Sequence, residues 1–234
     1  MEKKIAIIPA RGGSKRIPRK NIKDFFGKPI IAYSIEVALQ SGLFDEVMVS
    51  TDDEEIADIA VNYGAKVPFL RSSENSDDLA ATADVLLEVI DKYKKEFNID
   101  IKTACCIYPT SPLTQISQLI EGNRLLEVNN YDSVFPVVAF SFPVWRGIDL
   151  DSQNLVTMQW PEFYNSRSQD LKTLYHDAGQ WYWFNSDSLK ESKKLYMNKS
   201  YGYVLDDTEV QDIDNMVDFK LAELKYQLLK DILS

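Results

Sequence analysis

The chain has 234 residues, 45% of them hydrophobic, which suits one large α/β domain or one domain with a small inserted lobe and excludes a disordered chain. Its formal net charge of −10 excludes nonspecific binding to nucleic acid or to an anionic membrane, because both tasks need a basic surface. Two neighbouring cysteines, Cys105 and Cys106, lie in an apolar run. A mutual disulfide there is strained and two thiols are too few for a zinc site, so both read as buried reduced thiols.

Ile5 to Ile8 form a short apolar run ending at Pro9, as expected of a buried strand. Lys3 and Lys4 precede nothing longer than that run, and no stretch is long and apolar enough to span a bilayer, so a cytosolic protein is expected. A basic loop follows, then a helix from about Pro29 to Gln40 with Gly42 beyond its end. Glu46 to Ser50 reads as a second strand, and Thr51-Asp-Asp-Glu-Glu55 opens a helix that runs to about Tyr63. Leu86, Ile90, Tyr93 and Phe97 share one helical face. A buried strand from Thr103 to Tyr108, a helix from about Gln115 to Val128 and a strand near Ser133 to Val138 continue the alternation, which predicts a mostly parallel central sheet.

That rhythm breaks after Ala139. Residues 140–184 are aromatic, hold all four tryptophans and show no helical period; they are expected to form an inserted β-rich lobe, with 1–139 and 185–234 making the main domain. Such aromatic surfaces also suit a dimer interface. Tyr201 to Leu205 resumes the α/β pattern, and Val217, Leu221, Leu224, Leu228 and Ile232 form an apolar stripe on a last helix.

Ligands of an open parallel sheet bind beyond the carboxyl ends of its strands, so the loops there carry the function. Between Arg11 and Lys28 stand seven Lys or Arg residues against one acid, Asp24. Gly12 and Gly13 let backbone N–H groups approach a ligand, Arg11 and Lys15 can neutralise phosphate oxygens, and Ser14 adds a hydroxyl donor. The Walker ending and the Gly-x-Gly-x-x-Gly fingerprint are both absent. Asp212 and Asp214, two apart in an extended stretch, point the same way.

The segments Ile7-Ile-Pro-Ala-Arg-Gly-Gly-Ser-Lys15, Pro18-Arg-Lys-Asn21 and Gly27-Lys-Pro29 resemble the signature of the acylneuraminate cytidylyltransferases. Ser50-Thr-Asp-Asp53, Arg71 with Asp78 and Thr82, Pro109-Thr-Ser-Pro112 and Gln211-Asp-Ile-Asp214 extend the resemblance over most of the chain. It implies a Rossmann-like, three-layer α/β nucleotide-diphospho-sugar transferase fold with a small dimerisation lobe. It also implies coupling of CTP to a nine-carbon acidic sugar, Mg²⁺ as cofactor, and a homodimer. By the same resemblance Arg11, Gly12, Gly13, Ser14, Lys15, Asn21 and Asp78 hold the nucleotide, Arg71 and Thr82 read its base, and Asp212 and Asp214 bind the metal. Tyr108, Thr110, Ser111, Arg146, Arg167, Gln169, His176 and Gln180 become candidates for the sugar.

Thr82 alone also reads as the cap of the helix that follows it, and Asp214 as the cap of the last helix. The sugar is read from two departures: Tyr108 replaces the Gln of N-acetylneuraminate enzymes, and His176-Asp-Ala-Gly179 replaces an Arg-x-Asn-Gly segment. These segments, with Phe142-Pro-Val-Trp-Arg146 and Arg167-Ser-Gln-Asp-Leu171, look like the pseudaminic acid branch of the family. The methyl end of that sugar suits aromatic lining by residues such as Trp145 or Trp181. The rival expectations are the same reaction on N-acetylneuraminic or legionaminic acid, a non-catalytic nucleotide sensor, and an oligomeric scaffold built on the lobe.

Overall fold

The computed structural model describes residues 2–75 and 81–233, so Asp78 lies outside the described residues. Strand β1 (Glu2–Pro9) contains the first apolar run. A hairpin of β2 (Asp24–Phe25) and β3 (Lys28–Pro29) precedes α1 (Ile30–Ser41), which begins after Pro29 and stops at Gly42. Strand β4 (Glu46–Ser50) leads to α2 (Glu54–Asn62), where the Asp53 carboxylate accepts the Ile56 N–H at 3.0 Å as an N-cap. Then come α3 (Thr82–Phe97), β5 (Asp100–Ile107), α4 (Ile116–Asn129) and β6 (Ser133–Ala139). Strands β7 (Ile148–Leu150) and β8 (Val156–Met158) form a second hairpin. After it come β9 (Tyr175–Asp177), β10 (Trp181–Asn185), α5 (Ser186–Ser192), β11 (Ser200–Val204) and α6 (Met216–Leu233).

The seven-stranded sheet runs β11-β6-β10-β5-β1-β4, with β9 also paired to β6. Its ladders β1–β4, β1–β5 and β6–β11 are parallel, while β9 and β10 run against their neighbours. Alternate residues of each strand serve opposite faces. Ala6, Ile8, Cys105 and Trp183 pack with α1, α2 and α4; Ile5, Ile7, Cys106 and Tyr182 pack with α3 and α5. Cys105 and Cys106 therefore sit in separate layers as free buried thiols. Helix α4 comes so close to the sheet that a Cβ on Gly122 would stand 2.7 Å from the Trp181 ring.

Two expectations change. Trp181 to Phe184, assigned from sequence to the lobe, form a fully buried strand between β5 and β6. An apolar run buried on both faces has no alternation to reveal it as a strand. The part that stands off the sheet is residues 140–174, closed at its base by the Phe140 N–H on the Leu174 carbonyl at 3.0 Å. Inside it Trp145 packs on Trp160 and Phe163, at ring distances of 5.6 and 5.7 Å. On α6 the buried face is Phe219 and Ala222, with Tyr226 beside them, against Ile17, Phe25 and Tyr33. The stripe of Val217, Leu221, Leu224 and Leu228 is exposed instead. The aromatic face hides more apolar area per residue, so it takes the core side. Among the described residues no helix is long and apolar enough to cross a membrane.

Candidate active site

A cleft of about 670 Å³ opens at the carboxyl ends of β1 and β5. The loop after β1 supplies Arg11, Ser14, Lys15, Arg16, Lys20 and Asn21; Arg71, Asn75 and Thr82 form one wall; Tyr108, Pro109 and Thr110 form another; Asp212 and Asp214 complete it. Chain positions from 9 to 214 thus meet at one end of the sheet.

The basic loop is held from behind by the acids that start α2. The Gly12 N–H donates to Asp52 at 2.9 Å, and Arg19 bridges Asp53 and Glu55. A Cβ on Gly12 would stand 2.6 Å from Asp53 Oδ2, so the glycine is required by close approach. Among the described residues, no atom beyond its chain neighbours lies within 4 Å of the corresponding point on Gly13. Asn21 is buried and donates to the Arg11 carbonyl at 2.9 Å, shaping the loop from within. The Asp52 and Asp53 carboxylates are therefore spent on orienting the basic loop.

Arg71 is buried. Its Nε donates to Ser50 Oγ at 3.1 Å, a terminal nitrogen donates to the Ser50 carbonyl, and its own N–H reaches the Thr51 carbonyl at 2.8 Å. Thr82 is not the helix cap; Ala81 has that position, and the Thr82 hydroxyl lies 3.1 Å from the Tyr108 hydroxyl. Burial pushes the Tyr108 phenol up to about 12, so it is a neutral hydroxyl at pH 7. Ser111, by contrast, donates to the Tyr108 carbonyl at 2.7 Å and is absent from the cleft wall.

Asp212 and Asp214 reach the cleft from a stretch whose middle residue, Ile213, is buried in the core. Asn215, whose Oδ1 accepts the Val217 N–H at 2.8 Å, caps α6 and leaves Asp214 for other work. Asp212 keeps one side open to solvent, yet the surrounding protein and the Asp214 charge raise its carboxyl above the usual range. Lys20, which donates to the Ile213 carbonyl at 2.7 Å, opposes that rise, and Arg16 pairs with Asp214 at 2.6 Å. Sequence reasoning passed over Lys20, although it sits inside the Pro18-Arg-Lys-Asn21 segment. No group of three or more His, Cys, Asp or Glu capable of holding a metal occurs among the described residues. Two carboxylates crowded at a basic cleft still fit a hard divalent cation that takes its other oxygens from substrate and water.

None of the candidates from residues 140–184 lines the cleft. Arg146, Arg167, Gln169 and His176 are exposed: Arg167 pairs with Asp170 at 2.7 Å, and the His176 ring lies 4.8 Å from Phe140. Gln180 is buried, donates to the Glu209 carbonyl at 2.6 Å and accepts the Tyr108 N–H at 2.8 Å. Trp181 is core, and Trp145 packs within the lobe, so neither lines the cleft.

The family model described as Cytidylyltransferase matches residues 5–221. The chain belongs to the cytidylyltransferase family. Among family members it is 43% identical over 226 residues to the pseudaminic acid cytidylyltransferase of Campylobacter jejuni strain 81-176, covering 97% of both chains. It is 36% identical over 240 residues to the CMP-N,N'-diacetyllegionaminic acid synthase of Legionella pneumophila, covering 98% of each. The solved structure of CMP-2-keto-3-deoxy-manno-octonic acid synthetase complexed with CTP superposes with a TM-score of 0.69 at 18% identity, over 98% of this chain and 99% of that one. At that identity the superposition speaks for the cytidylyltransferase fold alone.

Proposed function

We propose that the chain joins CTP to pseudaminic acid, forming the CMP-sugar and releasing pyrophosphate. One observation carries the reading: a basic loop faces the Asp212/Asp214 pair across a single cleft, in a chain 43% identical to a pseudaminic acid cytidylyltransferase. Arg11, Ser14 and Lys15 hold the triphosphate oxygens, Arg71 and Thr82 stand at the base, and Tyr108 and Thr110 face the sugar. The anomeric oxygen forms a bond to the α-phosphorus while the bond to the bridging oxygen of pyrophosphate breaks, and the hydroxyl proton passes to water. Positioning and charge neutralisation drive such a transfer, and Arg11 and Lys15 offset the charge that grows on the leaving pyrophosphate. Asp212 and Asp214 would hold Mg²⁺, which when bound neutralises the reacting phosphate and lowers the pKa of the attacking hydroxyl. Lys20 keeps that pair in place through the Ile213 carbonyl.

The lobe of residues 140–174 is assigned the role of joining two copies in a homodimer. What supports this is its exposed apolar side chains, including Phe142, Leu150, Val156 and Tyr164. A second reading keeps the chemistry and changes the acid to legionaminic acid, favoured by the 36% identity to the Legionella synthase. Incubating CTP and Mg²⁺ with each acid, with the product identified by mass, separates the two. A CMP-pseudaminic acid product supports the first reading, and product from legionaminic acid alone replaces it with the second.

A further inference from the structure

Residues 69–75 carry Arg71 and Asn75 into the cleft wall and belong to no strand of the sheet; the Arg71 N–H donates to the carbonyl of Thr51, just beyond β4. An irregular run needs another anchor to hold an arginine in one place. Glu88, on the same helix as Thr82, provides it. Its Oε1 accepts the Ser72 N–H at 2.9 Å, and its Oε2 accepts the Ser72 hydroxyl at 2.9 Å and Asn75 Nδ2 at 2.6 Å. Lys92 pairs with the same carboxylate at 2.8 Å, donates to the Leu70 carbonyl at 2.9 Å, and stands over the Phe69 ring at 4.8 Å. The Glu88 side chain is only 11% exposed. A carboxylate can only accept, so it selects which end of the Asn75 amide faces it: the nitrogen turns to Glu88.

We propose that Glu88 is a positioning residue of the nucleotide site: by tying Ser72 and Asn75 to α3 it holds Arg71 against Ser50, and its loss weakens CTP binding and leaves the chemical step intact. The inference rests on the reading that Arg71 contacts the nucleotide. It goes beyond that reading because Glu88 does not line the cleft and is outside every segment that carries the family signature.

Calorimetric titration of the full-length chain with CTP tests it, using Glu88→Ala, Glu88→Gln, Arg71→Ala and the Arg71/Glu88 double alanine variant. Losing a satisfied network of this size predicts about a tenfold weaker CTP Kd for Glu88→Ala, with a smaller loss for Glu88→Gln. At saturating CTP, kcat and the KM for the sugar stay within about twofold of wild type. The double variant loses less than the product of the two single losses, because Glu88 acts through Arg71 and its loop. A folded Glu88→Ala that binds CTP like wild type overturns the proposal; if that variant does not fold, an unchanged Kd in Glu88→Gln does so. Arg71→Ala with unchanged CTP affinity overturns the nucleotide reading itself. Weakened Arg71→Ala beside unaffected Glu88 variants sinks the Glu88 inference alone.

Discussion

On the proposed reading the chemistry depends most on Asp212 and Asp214, and their surroundings say why removal should harm turnover more than folding. Both reach the cleft from a stretch anchored by the buried Ile213 side chain, while Asn215 caps α6 in their place. Asp212→Asn or Asp214→Asn should lower kcat by at least about a hundredfold, with Tm within a few degrees of wild type. A steady-state pyrophosphate assay beside a thermal melt checks both halves. Glu88 makes a different residue-scale prediction. Burial alone would raise its carboxyl, but hydrogen bonds from Lys92, Asn75 and Ser72 hold it down, from near 4.5 to about 2. A carboxyl lowered in the folded state contributes stability that is present above its ordinary pKa and lost as pH falls toward the folded value. The Tm gap between wild type and Glu88→Gln should therefore be widest near pH 7, shrink below about pH 4.5 and close near pH 2. A gap that persists unchanged at pH 2 contradicts the assignment.

Among the elements, α4 shows how tightly the layers are set. A Cβ at Gly122 would stand 2.7 Å from the Trp181 ring and 2.8 Å from Trp183, both fully buried. Gly122→Ala should cost about 1–3 kcal/mol despite the better helix propensity of alanine. Denaturant unfolding measures it, and a stabilised variant would mean the helix shifts freely. The same elements show what could be read in advance. Strands β1, β4, β5 and β6 and helices α1 to α4 were legible because periodicity and end signals agreed: Pro29 and Gly42 bound α1, and Leu86, Ile90 and Tyr93 form the buried face of α3. Strand β10 was not legible, since Trp-Tyr-Trp-Phe is apolar on both faces and follows other aromatics. On α6 two apolar faces compete, and only the aromatic pocket of Phe25 and Tyr33 decides between them. Of the cleft residues, the Arg11 to Asn21 loop was legible as a local basic pattern, while the Asp212/Asp214 pair, one of two Asp-x-Asp pairs noted at that spacing, stood out only through the family resemblance. Glu88, Asn75 and Lys20 were not, because each acts through a partner that the fold brings together from elsewhere in the chain.

At the scale of the whole molecule, an acidic chain concentrates positive charge at one cleft. The whole chain carries a net charge of −10, yet seven Lys or Arg residues stand against one acid between Arg11 and Lys28, so the field favours a compact polyanion there over an extended one such as nucleic acid. The lobe is the second large-scale feature. Phe142 is 84% exposed and Tyr164 72%, which is unusual for side chains that bury well. If the lobe joins two copies, Phe142→Asp should convert a dimer to a monomer in light scattering, while Gln153→Asp on the tip of the β7–β8 hairpin leaves it unchanged. A monomeric wild type would remove the interface.

On the proposed reading the cleft activates a nine-carbon acid with CTP, and pseudaminic acid in particular. Initial rates of pyrophosphate release with CTP and Mg²⁺, measured against pseudaminic, legionaminic and N-acetylneuraminic acids, test it most directly. Release should need both CTP and an acid, with kcat/KM highest for pseudaminic acid. No release with any of the three, from a protein that still binds CTP, would contradict it.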